Sequence, residues 1–389
     1  MSSSRSDQRF FAPCPRGLEP LLAQELAGLG ARAPVATPGG VAFEGGWEVC
    51  YRANLWSRLA SRVLWHVAAF DYASEEDVYR ATRALAWQQL FDVGCTLRVN
   101  VTAQRSPLNS IEFATLRIKD AICDRFREAT GRRPSVDRVS PDVRVHAFLE
   151  ARRATLYLDT SGEPLFKRGW RLARVEAPLR ENLAAAIVLL SGWQPEEPLL
   201  DPMCGGGTLL AEAAALALRR APGAGRAFGF ERLAAFDGQL WHRLRSEAAQ
   251  LPPAPRLALY GSDSDPGALE AARSNLAAAG FEGLVQLEQC DLLERKAPAG
   301  HGVLLANPPY GERIGEEEAL ARLYPRLGDA LKRNFAGWRC YFFTADLRLP
   351  KLIRLQPSRR VPLYNGALEC RLYEFRIVAG SHRGARKPD

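Results

Sequence analysis

Asn307-Pro308-Pro309-Tyr310 is a tetrapeptide whose residue types can do chemistry, and it directly follows the apolar run Val303-Leu304-Leu305-Ala306. Two prolines fix φ and carry no N–H, so the turn is rigid. The Asn307 carboxamide and the Pro308 carbonyl can then both accept hydrogen bonds from one planar –NH₂ group. The exocyclic amine of a nucleobase is a poor nucleophile because its lone pair is delocalised into the ring. Holding both hydrogens out of plane restores that lone pair and aims it. Tyr310 offers a ring on which a base can stack, worth about 1–3 kcal/mol. Chance would place these four residue types in a chain of this length roughly once in a thousand. The plain alternative is a proline-rich turn that only closes a strand.

A second group is Asp201-Pro202-Met203-Cys204-Gly205-Gly206-Gly207-Thr208, after Leu199-Leu200. Glycines at the carboxyl end of a strand let a ligand approach the backbone, and the helix that follows presents free N–H groups. No Gly-Lys-Ser/Thr follows them, so this is not a P-loop, which argues against ATP or GTP hydrolysis. A third group, Gly261-Ser262-Asp263-Ser264-Asp265-Pro266, puts the Asp263 carboxylate where it can accept both hydroxyls of an adenosine-type ribose. Asp265, one residue before Pro266, fits a helix N-cap instead. Finally, Asp291 follows Cys290 after another apolar run, where it could accept a hydrogen bond from an adenine amine. Each acid alone is equally a cap or a turn residue. Together, at consecutive strand ends, they point to a nucleoside site.

The elements that must position these groups read as a doubly wound α/β domain over residues 172–380. Apolar strands are expected at 199–201, 257–263, 285–290, 302–306 and 339–344, with helices to Leu218 and from Pro266 to Ala279. The segment 219–256 is unusually long for a connection. It should hold a helix over Asp237–Gln250 and a proline-rich exit, Leu251 to Pro255. The basic stretch Lys351–Arg360 reads as a solvated loop before a strand at Cys370–Ile377. Upstream, a strand at Phe10–Pro15, a helix over Leu18–Leu29, a strand at Val41–Glu44 and a helix over Val49–Leu59 make a small α+β unit. Residues 62–165 continue as mixed α and β, with a helix over Phe113–Thr130. That helix carries Arg117, Lys119, Arg125 and Arg127, and Arg132 and Arg133 follow it. The run is either a solvated face or a surface for phosphates.

Composition narrows the classes further. The chain has 389 residues, suiting two or three domains, and 52 basic against 44 acidic side chains give a net charge of +8. That excess suits a polyanionic partner. Eight cysteines are scattered, no two within five residues, so neither a thiolate metal site nor a disulfide scaffold is expected. Met1–Arg9 is polar and no apolar run approaches 18 residues, so no signal peptide, membrane span or metal is expected, and a cytoplasmic location is.

Residues 199–370 resemble class I S-adenosylmethionine-dependent methyltransferases, and Asn307–Tyr310 is similar to their amine-methylating signature. The longer string Asn307 to Gly315, with Arg313 inside it, resembles the RNA guanine-N2 methyltransferases in particular, as does Pro178-Leu179-Arg180-Glu181-Asn182-Leu183-Ala184. Residues 60–165, ending in Leu158 to Leu165, look like a THUMP domain, an RNA-binding module. Cys14-Pro15-Arg16-Gly17-Leu18-Glu19 is similar to the ferredoxin-like segment that precedes it. The resemblance implies an α/β chain arranged as a ferredoxin-like segment (1–60), a THUMP domain (61–166), a Rossmann-like methyltransferase domain (167–380) and a disordered tail (381–389).

The cofactor it implies is S-adenosylmethionine, held by Asp201, Cys204, Gly205, Gly207, Thr208, Asp263, Asp291 and Asn307. Asn307, Pro308 and Tyr310 would be catalytic, and Arg117, Lys119, Arg125, Arg132, Arg133 and Arg313 would contact RNA, as 23S rRNA or a pre-ribosomal particle. The family usually has Ser where this chain has Gly206. The alternatives are a tRNA guanine-N2 enzyme, an adenine-N6 DNA methylase, or a non-catalytic rRNA-binding assembly factor.

Overall fold

The computed structural model describes residues 7–173, 179–251, 256–308 and 316–378. They form two compact units, and each is built on its own seven-stranded sheet. The first unit holds residues up to Cys14, Glu19–Lys167 and Ala221–Gln250. In chain order its elements are β1 (Gln8–Pro13), α1 (Glu19–Gly28), β2 (Arg32–Thr37), β3 (Gly40–Gly45), α2 (Trp47–Trp56) and β4 (Leu64–Asp71). They continue with α3 (Glu75–Ala84), β5 (Leu97–Ala103), α4 (Ile111–Thr130), β6 (Val143–Leu149) and β7 (Arg153–Asp159). The strand order is β2-β3-β1-β4-β7-β6-β5. The join between the opening α+β segment and the next one is short, Phe10 opposite Trp65 and Phe11 opposite Leu64. β6 alternates buried and half-buried residues along its whole length, the pattern of a strand with one face on a core.

The second unit contains Pro15–Leu18, Arg168–Arg220 and the described residues from Leu251 onward. Its elements open with α5 (Glu181–Ser191), β8 (Leu199–Asp201) and α6 (Thr208–Ala217). After α7 (Gly238–Ala249), which belongs to the first unit, come β9 (Leu259–Asp263), α8 (Pro266–Ala278), β10 (Val285–Gln289) and β11 (Gly302–Ala306). The unit ends with α9 (Glu316–Asn334), β12 (Trp338–Thr344), α10 (Leu349–Leu352), β13 (Arg359–Asn365) and β14 (Leu368–Arg376). Strand order is β10-β9-β8-β11-β12-β14-β13, parallel from β10 to β12, with β14 antiparallel between β12 and β13. This is a doubly wound sheet whose order reverses between β8 and β11. Ligands of such sheets lie beyond the carboxyl ends of the strands at that reversal. β11 is buried at every residue, as a central parallel strand covered on both faces must be.

Two readings of the sequence are corrected. The helix and strand periods placed 221–250 inside the C-terminal domain, but the segment folds with the first unit. Phe230 stacks on Tyr51 with ring centroids 4.3 Å apart, Trp241 meets both rings edge-on, and the Asp237 amide donates to the Tyr51 hydroxyl at 2.9 Å. Lys351–Arg360 is not a loop throughout: it contains the end of α10 and the start of β13, which pairs with β14 from Arg359 opposite Glu374 to Asn365 opposite Leu368. Among the described residues no helix is long and apolar enough to cross a membrane, and no group of three or more potential ligands could hold a metal ion. Residues 381–389, expected to be a disordered tail, lie outside the described residues, as do Tyr310 and Arg313.

Candidate active site

The carboxyl ends of β8, β9, β10 and β11 meet around one cavity of the second unit. Pro202 and Met203 line it after β8, Asp263 and Ser264 after β9, Asp291 after β10, and Pro308 after β11. Leu323 and Leu327 of α9 supply an apolar wall. Three of the groups singled out by type and spacing thus line one space, and the glycine turn borders it through Met203 and the Asp263 bond.

The glycine turn is held from two sides. Gly205 and Gly207 have left-handed backbones, φ +51° and +76°, which a residue with a Cβ adopts only at a cost. Gly206 does not, so that position needs no glycine for backbone reasons. The Gly205 amide donates to Asp263 Oδ2 at 2.9 Å, and the Asp265 amide donates to Asp263 Oδ1 at 3.1 Å. Each oxygen of that carboxylate accepts one backbone bond and keeps a lone pair for a ligand. Asp265 caps α8 through the Gly267 amide at 2.8 Å, as its place before Pro266 predicts. Asp291 accepts from the Leu293 amide at 2.9 Å and is exposed, with its second oxygen available.

Asn275 is a positioning residue that the motifs did not reveal. Its Oδ1 accepts from the amides of Leu172 and Ala173 at 2.9 and 3.0 Å, and its Nδ2 donates to the Gly206 carbonyl at 3.0 Å. One buried amide therefore ties α8 to the glycine turn and to the segment before α5. A polar residue at a buried position of an otherwise alanine-rich helix face was the available signal. Asn275→Ala leaves these backbone groups unpaired, so stability should fall by about 1–3 kcal/mol in urea denaturation. An unchanged midpoint would remove the clamp.

Beside it, Thr208 accepts from Arg171 at 3.3 Å, and Arg171 pairs with Glu181 at 3.1 Å. Arg168 and Glu212, both nearly fully buried, pair at 3.2 Å. The Arg-Glu-Asn helix noted in the sequence thus anchors the start of α6.

Asp201 is 2% exposed and its Oδ1 accepts from the Met203 amide at 3.2 Å. Burial pushes its carboxyl up to about 8, with nearby Asp263 adding to the rise and the Met203 bond opposing it. The folded chain then holds a proton that the unfolded chain, with this group near 3.8, has lost. Without cofactor, stability should fall as pH rises through that window and level off above about 8. Asp201→Asn keeps the acceptor and removes the titration. Its melting temperature should therefore drop less than the wild type's between about pH 6 and 8; parallel curves would contradict this.

Burial and neighbouring carboxylates also push the Cys204 and Cys290 thiols up, so neither is a thiolate nucleophile at neutral pH. Asn307 is half-buried and Pro308 is buried. Asn307 Oδ1 itself is fully buried and accepts no hydrogen bond among the described residues. A buried carbonyl oxygen without a donor costs about 1–3 kcal/mol, which a ligand N–H recovers. This orphaned acceptor, next to a cavity with two nucleoside-type acids, fits an amine on a planar base.

Several of the α4 cations singled out in the sequence have acidic partners. Arg117 pairs with Glu76 and stacks over Tyr79 at 4.0 Å, Lys119 pairs with Asp120 at 2.7 Å, and Arg127 pairs with Asp124 at 3.5 Å. Arg125 is half-buried, and Arg132 and Arg133 are exposed beyond the helix. Carboxylates therefore compensate most of this helix's charge.

Most of the chain matches known proteins. Residues 9–64 match the RlmL ferredoxin-like domain, 72–159 the THUMP domain, and 168–374 the RMKL-like methyltransferase domain. The ribosomal RNA large subunit methyltransferase K/L of Syntrophotalea carbinolica is 43% identical over 98% of this chain, which spans 55% of that protein. The chain thus spans about half the length of the K/L proteins it matches. The protein slr0064 of Synechocystis sp. is 40% identical and is covered over 98% of its length. Among solved structures, SMU.472 complexed with SAH superposes with a TM-score of 0.88 at 33% identity, covering 96% of this chain and 99% of that one. S-adenosylmethionine is the methyl donor of such enzymes, and the acids and glycine turn around this cavity carry the acceptor and backbone groups that such a nucleoside takes. With the methyltransferase match alone spanning more than half of its residues, the chain belongs to the RMKL-like methyltransferase family.

Proposed function

We propose that the chain transfers a methyl group from S-adenosylmethionine to the exocyclic N2 of a guanine in RNA, with 23S rRNA as the substrate class. The observation that carries this reading is the buried Asn307 Oδ1, which has no hydrogen-bond partner among the described residues and directly precedes Pro308 in the cavity wall. Asp263 accepts the ribose hydroxyls, and Asp291 accepts from the adenine amine. The glycine turn, braced by Asp263 and Asn275, presents backbone to the amino-acid end. When bound, the cofactor supplies an electrophilic methyl group. Asn307 Oδ1 and the Pro308 carbonyl accept hydrogen bonds from the two N2 hydrogens and aim the nitrogen lone pair, and Tyr310 would stack on the base. As the new N–C bond forms the donor's S–C bond breaks, and one N2 proton leaves to solvent while the other stays on the product. The guanine must leave its stack to reach them, which costs a few kcal/mol unless it is already unpaired. Positioning supplies most of the rate, of the order of 7–11 kcal/mol. With no thiolate at hand, attack by the amine itself is the route these residues support. The THUMP domain grips the RNA by backbone and shape.

A second reading has support of its own. A Listeria monocytogenes structure, described as a predicted N6-adenine-specific DNA methylase, superposes with a TM-score of 0.86 at 32% identity. An Asn-Pro-Pro turn suits either amine. Labelled cofactor incubated with 23S rRNA, tRNA and DNA in separate reactions, followed by nucleoside analysis, decides between them. N2-methylguanosine from 23S rRNA is the expected product; N6-methyladenine from DNA would replace the proposal.

A further inference from the structure

From Leu347 to Leu368 the chain carries five cations, Arg348, Lys351, Arg354, Arg359 and Arg360, and no acid. All five are exposed. Arg348 is paired with Asp346 at 2.9 Å, and Arg359 donates to the Leu190 carbonyl at 3.2 Å. Among the described residues Lys351, Arg354 and Arg360 have no carboxylate partner. This contrasts with α4, where Arg117, Lys119 and Arg127 each face an acid. An uncompensated strip keeps its full attraction for phosphate, whereas a paired cation must first give up its partner.

The strip is also fixed in place. β12 runs parallel to β11, with Phe342 opposite Ala306, so the chain leaves β12 at the same edge of the sheet as Asn307. Leu349 and Ile353, at the two ends of α10, join the apolar cluster that contains Leu327 of α9, and Leu327 lines the cavity. Gly328 packs so closely beneath α10 that a methyl group there would overlap the Ile353 carbonyl oxygen. Arg354, next in sequence, has a left-handed backbone with φ +56°, a conformation that strains a residue carrying a Cβ. Packing against α9 thus sets Lys351 and the strained Arg354 on a rigid base, while Arg360 stands on β13 opposite Tyr373, which lies opposite Phe342 of β12 and so level with Ala306, the residue before Asn307.

We infer that Lys351, Arg354 and Arg360 form a phosphate-gripping strip of the methyltransferase unit, which holds the RNA backbone near the target nucleotide. The inference rests on the RNA reading given above and adds a second grip, separate from the THUMP domain. It assigns substrate RNA contact to a stretch that otherwise has no role in the chemistry.

The test uses the full chain and transcribed 23S rRNA, and measures the salt dependence of binding for three proteins. Lys351→Ala/Arg354→Ala/Arg360→Ala should reduce the log–log salt slope by about two to three units, roughly one per lost phosphate contact. Its KM for RNA should rise while the rate at saturating RNA and the calorimetric affinity for S-adenosylmethionine hold. Arg117→Ala/Lys119→Ala/Arg127→Ala, which removes compensated charge, should change the slope less. An unchanged slope in the first variant, or a larger change in the second, would overturn the strip. A wild-type chain that binds 23S rRNA without any salt dependence would overturn the RNA reading as well. The first result with intact cofactor affinity cannot come from unfolding.

Discussion

Asn307→Ala is expected to lower the rate of methyl transfer by about 10²–10³-fold, the scale of removing one preorganised polar contact from a reacting centre. Cofactor affinity should change by less than about threefold, because Asp263, Asp291 and the glycine turn remain. The split follows from the geometry. Asn307 Oδ1 is buried and lacks a donor among the described residues, so its substitution breaks no described hydrogen bond of that oxygen and should not lower stability. Single-turnover rates with preformed cofactor complex give the first quantity, and calorimetry gives the second. Asn307→Asp sharpens the result: it keeps the acceptor oxygen but adds charge, and it should retain more activity than alanine. Full turnover by the alanine variant would refute the orientation mechanism, whatever the substrate.

The second large effect is expected at Asp263. Its two oxygens accept from Gly205 and Asp265 and keep free lone pairs toward the cavity. Asp263→Ala removes both the ribose acceptor and the brace of the glycine turn. Hydrogen bonds to a charged group are worth about 1.5–3 kcal/mol, so the Kd for S-adenosylmethionine should rise about 10–100-fold. The loss should appear in KM for the cofactor more than in the rate at saturation. That pattern is the reverse of Asn307→Ala, and the pair separates holding the donor from aiming the acceptor. Calorimetry showing wild-type affinity would remove the ribose assignment.

Much of this site was legible because its signals are local. A rigid Asn-Pro-Pro corner, glycines after a strand, and acids at strand ends are each written within a few residues, and the parallel sheet then brings the ends together. The features that escaped depend on distant partners. Phe230 and Trp241 read as ordinary apolar positions, and only Tyr51, far away in sequence, explains why their segment leaves the domain that surrounds it. Helix α9 carries Pro325 in its interior, a residue that ordinarily ends a helix, so the pattern did not announce nineteen helical residues. β13 was masked by its arginines and by Pro362, which an edge strand tolerates and a central one does not. The basic face of α4 looked free because its acids lie on α3 or were counted only as neighbours.

The way residues 221–250 return to the first unit has a practical consequence for dissecting this chain. No single cut yields two intact halves. A fragment begun at Arg168 would carry Phe228, Phe230 and Trp241 with nothing to bury them, and one ended at Lys167 would leave the Tyr51 side of α2 stripped. A fragment meant to keep the first sheet intact must therefore carry residues 221–250 as well, and one meant to keep the second sheet must bridge Arg220 to Leu251 without them.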